Sequence, residues 1–237
     1  MSIDVVDLKE FYQSSTANDI TPIFREILKK LRACNKNGRS LFVGFGVPYA
    51  DQNKSEFLLM PAHIGVFAWP DSKNNRTLLS YEDEWPFADH MFDEIIILHG
   101  LEYAQNAGKL LEECYRSLIP EGRLIVIVPN RRSIWVRSDK TPLGFGQPYT
   151  LTQLSKILKK YDFIPIDVAR GLYSLPSKKS VYNIWSWFFE LIASRALQKF
   201  SGLVGVVAIK RVYAGIPVRK VSKESRVTIA QAQTTAC

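Results

Sequence analysis

Ile95-Ile96-Ile97-Leu98 is an unbroken apolar run, and Leu124-Ile125-Val126-Ile127-Val128 is a second one. Runs of this kind are typical of strands buried on both faces. Between them, Leu110, Leu111, Cys114, Tyr115 and Leu118 recur at helical spacing within Asn106 to Leu118, and Pro120-Glu121-Gly122 supplies a turn. Strand, helix and strand in that order require a parallel crossover. The expected class is therefore α/β, with a mostly parallel central sheet and helices on both faces.

The flanking segments extend this pattern. Ile3 to Tyr12 has helical spacing. Asn18-Asp19 precedes a longer helix with Thr21 and Pro22 in its first turn, Ile23, Phe24, Ile27, Leu28 and Leu31 as its stripe, and Asn37-Gly38 as its end. Leu41 to Val43 reads as the first strand and runs into a turn built on Gly44 and Gly46, followed by Pro48. Phe57 to Met60 reads as a strand stopped by Pro61, Gly65 to Trp69 as a further extended piece, and Thr77 to Ser80 as a short strand. Asn130 to Tyr149 is a long basic loop, Thr150 starts a helix, and Phe163 to Val168 is a strand. Ile184 to Phe200 is an aromatic-rich amphipathic helix, and Leu203 to Val212 is a last strand. The expected organisation is a helical extension over residues 1–18, an α/β domain over 19–213 and a polar, basic tail over 214–237.

Composition narrows the function classes. The 237 residues are 46% hydrophobic and 23% charged, which is ordinary for a globular chain. Cys34, Cys114 and Cys237 are odd in number, widely spaced and without a C-x-x-C, which argues against a disulfide framework or a zinc site. Asp4, Asp7 and Glu10 stand where a secretory leader would be basic, and no apolar run is long enough to span a bilayer, so a cytoplasmic protein is expected. The net charge of +8 is concentrated in Arg131 to Lys140 and Lys210 to Arg226. Basic patches attract phosphate, but solvated lysines do so blandly, so nucleic acid is admitted as a partner without being favoured.

With the elements placed, the motifs resemble those of the class I S-adenosylmethionine-dependent methyltransferases, and most of all their type 11 branch. That branch commonly shows P-F-x-D-x-x-F-D before the fourth strand, supplied here by Pro86, Phe87, Asp89, Phe92 and Asp93. It also shows L-x-P-G-G before the fifth, matched by Leu118, Pro120 and Gly122 with Glu121 in place of the first glycine. The likeness covers roughly residues 20 to 170. It implies a Rossmann-like fold that closes with a strand-helix-strand, and S-adenosylmethionine as cofactor. Two departures stand out. Phe42 occupies the usual acidic position before the glycine turn, with Pro48 at its third glycine. Strand two ends in Met60-Pro61-Ala62-His63 rather than a carboxylate for the ribose, and Glu56 comes too early to serve. Cofactor binding is then either built differently or weakened.

The candidate cofactor wall implied by this likeness comprises Gly44, Phe45, Gly46, Glu84, Trp85, His99, Gly100, Leu101 and Glu102. Trp85 is placed to stack on or edge the adenine, and Glu84 or Asp83 to accept from its amine. His99 is the one catalytic candidate, because an imidazole titrates near neutral pH, although a His at a strand end is often structural. Glu102 has three readings: a helix cap, a partner for the cofactor's methionine end, or an amine binder. Arg131, Arg132, Trp135, Arg137 and Tyr149 fall on the loop after the fifth strand, where the family keeps its substrate lid, and the arginines suit an anionic acceptor. His63, His90 and His99 show no metal-ligand spacing. Trp185, Trp187, Phe188 and Phe189 read as buried against the sheet or against a second copy in a homodimer, in preference to an interfacial membrane contact, which nearby Lys178, Lys179, Arg195 and Lys199 would support.

Three functions are consistent with these residues: a methyltransferase acting on an unidentified acceptor, a non-catalytic binding or scaffold protein on the same fold, and an RNA-directed methyltransferase. Methyl transfer from a sulfonium needs alignment and desolvation rather than a nucleophile dyad or metal cluster, which agrees with the lack of such motifs.

Overall fold

Seven strands pair in the order β3-β2-β1-β4-β5-β7-β6. The computed structural model describes residues 4–32, 38–137, 141–173 and 200–212. The strands are β1 (Ser40–Gly44), β2 (Glu56–Pro61), β3 (Thr77–Ser80), β4 (Phe92–Leu98), β5 (Leu118–Pro129), β6 (Phe163–Gly171) and β7 (Leu203–Lys210). All neighbours run parallel except β7, which is antiparallel to both β5 and β6. The helices are α1 (Val5–Gln13), α2 (Ser15–Leu31), α3 (Ala107–Ser117) and α4 (Leu151–Lys160).

The central pair explains its own sequence. Ile95 to Leu98 and Leu124 to Val128 are almost entirely inaccessible to solvent, in register from Ile95 against Leu124 to Leu98 against Ile127. Each such side chain contributes roughly 1.5–3 kcal/mol on burial. The crossover helix α3 is capped by Asn106, whose side chain accepts from the N–H groups of Gly108 and Lys109. Thr150 and Gln153 form a reciprocal capping box on α4.

One face of the sheet is covered by α3 and α4. The other is covered by α1 and α2, whose Leu8, Ile20, Phe24, Ile27 and Leu31 pack with Phe42, Ile96, Ile125 and Ile127. Helix α2 lies close over β6 and β7. A Cβ on Gly171 would meet Ile23 and Ile27 at 2.9 Å, and one on Gly205 would meet Leu31 at 2.7 Å. The connections β1–β2, β2–β3 and β3–β4 contain no helix. The two N-terminal helices therefore shield a face that helical crossovers would otherwise cover.

Two local expectations are corrected. Helix α2 begins at Ser15 on the Ser14 cap, so Pro22 lies inside it rather than in its first turn, and the expected boundary at 18/19 falls within the helix. The cap at Ser14 satisfies the N–H of Ala17, and this local bond outweighs the proline signal. Gly65 to Trp69 forms no strand. The Trp69 side chain is buried in the core, and its carbonyl accepts from Arg76. The aromatic segment 184–200 (save Phe200) and the tail from 213 onward lie outside the described residues.

A buried ionic cluster secures the amino-terminal end of the sheet. Arg32 donates through Nε to Glu94 at 2.7 Å, through Nη1 to Glu56 at 2.9 Å and through Nη2 to Ser40 at 3.1 Å. Glu56, the carboxylate too early for a ribose, is thus committed at the end of the sheet opposite the site.

Candidate functional site

The site residues gather where β1 and β4, neighbours in the sheet, release their chains at the carboxyl end. Gly44 takes φ +91°, a conformation that favours glycine, and a Cβ there would lie 2.3 Å from the carbonyl oxygen of Leu98. Phe45 follows, donates its N–H to that same carbonyl at 2.8 Å and is buried beneath α1. Its ring stacks on Tyr12 with centroids 5.3 Å apart and meets Phe67 edge-on. On β4, His99 takes φ +50°, unusual for a residue with a side chain, and Gly100 packs against Ile97 and the Val43 carbonyl.

His99 and Glu102 are each 1% exposed. Two tyrosine hydroxyls lead to them. Tyr49 donates to Tyr12 at 3.0 Å, and the Tyr12 hydroxyl lies 2.7 Å from Nε2 of His99. With Tyr12 accepting from Tyr49, donation of its own proton to Nε2 goes with the tautomer that carries the imidazole proton on Nδ1. Nδ1 lies 3.2 Å from Oε1 of Glu102, off the line a hydrogen bond needs, and neither carboxylate oxygen of Glu102 has a hydrogen-bond partner. Burial pushes the Tyr12 and Tyr103 hydroxyls well above their ordinary range, and the Glu102 charge pushes both further. Tyr149 is raised by burial and then by Glu102. The charge of Glu102 is thus felt by tyrosines of three segments, α1, the end of β4 and the stretch after β5.

On the far side of β1, the end of β2 delivers His63, whose Nε2 is buried and without a partner, while Nδ1 lies 3.7 Å from Glu82. Glu82 is occupied: it accepts from the N–H groups of Gln105 at 2.8 Å and Asn106 at 2.7 Å, ordering the approach to α3.

The structure brings Gly44, Phe45, Gly46, His99, Gly100, Glu102 and Tyr149 to this end of the sheet and places the other candidates elsewhere. Trp85 and Leu101 are buried in the cluster on the α3 face. The Trp85 N–H donates to Glu113, and its carbonyl accepts from Arg116. Glu84 is exposed and offers only its carbonyl to Ser80. Arg131, Arg132 and Arg137 are exposed, whereas Trp135 is buried on the α1–α2 side. Sequence reasoning missed Tyr12, Tyr49 and His63. In the sequence Tyr12 is only the end of the helical spacing that starts at Ile3. The available signal was a tyrosine, rather than a leucine, at the end of a short helix before the domain. Among the described residues, no cluster of His, Cys, Asp or Glu is suited to a metal, and no helix is long and apolar enough to cross a membrane.

Residues 69–126, which run through β3, β4 and α3 into β5, match the family described as a methyltransferase domain. No curated protein matches the sequence. Among solved structures, an S-adenosylmethionine-dependent methyltransferase from Thermotoga maritima superposes with a TM-score of 0.60 at 17% identity, over 87% of this chain and 96% of that one. One from Archaeoglobus fulgidus gives 0.54 at 15%, over 86% and 98%. The Burkholderia thailandensis 1,6-didemethyltoxoflavin-N1-methyltransferase, solved with S-adenosylhomocysteine and its substrate, gives 0.51 at 14%, over 86% and 90%. The fold is that of the class I S-adenosylmethionine-dependent methyltransferases, the superfamily whose motifs the sequence resembles.

Proposed function

We propose that this chain is an S-adenosylmethionine-dependent methyltransferase. The observation that carries the reading is the distribution of buried, unpartnered polar atoms. Nε2 of His63 stands at the end of β2, and the two oxygens of Glu102 stand beyond β4, on either side of the glycine turn that ends β1. Buried polar groups are normally paired, so each unpaired one calls for a partner. The residues fit the cofactor: His63 takes the place of the missing ribose carboxylate as a partner for hydroxyls, and Gly44 to Gly46 give the turn between the two groups. The cofactor supplies a methyl group activated on a sulfonium. The chain's own contribution is to hold the reactants in line and exclude water: Tyr12 and Phe45 roof the site, and His99 is held in one tautomer.

One observation favours a second reading, a binding module without catalysis. Each turn glycine already meets the chain's own atoms, Gly44 at the Leu98 carbonyl and Gly46 at Phe42, and the Phe45 ring lies where a ligand would approach. Calorimetric titration with S-adenosylhomocysteine decides between the two. Heat that saturates, and that His63→Ala weakens about tenfold, is the expected result. A folded protein giving no heat at millimolar ligand would establish the second reading.

A further inference from the structure

The arginines that suggested an anionic acceptor are exposed, whereas the charged group buried inside the site is a carboxylate. Glu102 is 1% exposed, with no hydrogen bond to either oxygen; its one ion-pair neighbour among the described residues is Nδ1 of His99 at 3.2 Å, and no Lys or Arg reaches it. A buried carboxylate left this way costs several kcal/mol, which a bound cation would offset. Its neighbour His99 is flanked by two rings, Tyr12 with centroids 5.8 Å away and Tyr103 at 6.5 Å, and the segment after β5 carries Tyr149. That segment is fastened over the site from its far side. The N–H of Gln147 donates to the Glu102 carbonyl at 2.7 Å, and the Tyr103 hydroxyl donates to the Pro142 carbonyl. At Gly146, with φ +78°, a Cβ would lie 2.5 Å from the Glu102 carbonyl oxygen.

We infer that the buried carboxylate of Glu102, beside His99, is a recognition site for the cationic nitrogen of an amine acceptor. The inference rests on the methyltransferase reading and names its substrate class. A carboxylate supplies the countercharge for an ammonium, a pairing that neither a neutral alcohol nor a carboxylic acid can use. Glu102 is then a specificity-determining residue, and His99 keeps a polar N–H beside it.

The test is calorimetric titration of the full chain with benzylamine and with its neutral counterpart benzyl alcohol, each repeated with S-adenosylhomocysteine at saturation. Benzylamine is expected to bind at least about tenfold more tightly than the alcohol. Glu102→Gln, which keeps the shape and removes the charge, is expected to erase that preference. Equal binding of the two probes, no binding of the amine, or a preference that survives Glu102→Gln would overturn the assignment. So would displacement of the amine by S-adenosylhomocysteine, since Glu102 would then serve the cofactor's own ammonium group. If S-adenosylhomocysteine fails to bind while the Glu102-dependent amine preference persists, the methyltransferase reading falls and the ammonium site stands.

Discussion

The Tyr12 hydroxyl lies 2.7 Å from Nε2 of His99, and this contact joins the first helix of the chain to the end of its central strand. Eighty-seven residues separate the two. Helix α1 therefore reaches the candidate site. Its position is fixed by the capping box on Asp4, by the bond from the Val5 N–H to the Ile64 carbonyl, and by Val5 and Leu8 in the core. Tyr12 in turn sets which nitrogen of His99 carries the proton.

Removing that hydroxyl frees the tautomer. In Tyr12→Phe, nitrogen-15 spectra of histidine-labelled protein are expected to show His99 moving from the Nδ1–H form of the parent toward a mixture. The His90 signal is expected to stay put, because its Nδ1 bonds to the Leu118 carbonyl at the other end of the sheet. An unchanged His99 signal would mean that Tyr12 does not set the tautomer.

Arg32→Ala leaves Glu56 and Glu94 buried without their common cation. Breaking a buried pair from one side typically costs about 3–5 kcal/mol, and the same loss is expected here from urea unfolding. The site lies at the opposite end of the sheet, so ligand binding by the folded fraction is expected to be unchanged.

Glu94 gives a pH signature opposite to that of an ordinary paired carboxylate. Burial raises its pKa above the usual 4.5, and Arg32 beside it only partly offsets this. The folded state therefore holds the proton more tightly than the unfolded state, and the group's contribution to stability falls as pH rises above 4.5 toward the folded value. Glu94→Gln keeps a hydrogen-bond acceptor for Arg32 and removes the charge. Its stability relative to the parent is expected to increase over that range, with the two converging in more acidic solution. A constant difference across pH would show that Glu94 does not titrate with folding.

Much of the frame is legible in the sequence for a physical reason. Strands buried on both faces must be apolar throughout, and the crossover between β4 and β5 must be an amphipathic helix with a cap, so Ile95 to Leu98, Asn106 and Leu124 to Val128 declare themselves. The helix-free connections among β1 to β4 are visible as turn-rich, proline-broken segments. The site is less legible because its members are joined across long separations by single hydrogen bonds. Nothing near Tyr12 points to His99, and nothing near Met60-Pro61 shows that His63 will be left unpaired. Trp85 shows the converse difficulty. It stands in a family motif, yet its bonds to Glu113 and Arg116 tie it to the α3 face.

The chain has three histidines, and the fold distributes them as probes with a built-in control. His63 and His99 stand at the carboxyl ends of β2 and β4, whereas His90 stands before β4, bonded to the Leu118 carbonyl and near Lys210. Titrating histidine-labelled protein with S-adenosylhomocysteine and following the ring nitrogens tests the central claim most directly. The His63 and His99 signals are expected to shift together and saturate while His90 stays fixed. No shift at millimolar ligand, or a shift confined to His90, would contradict a cofactor site across the ends of β2, β1 and β4.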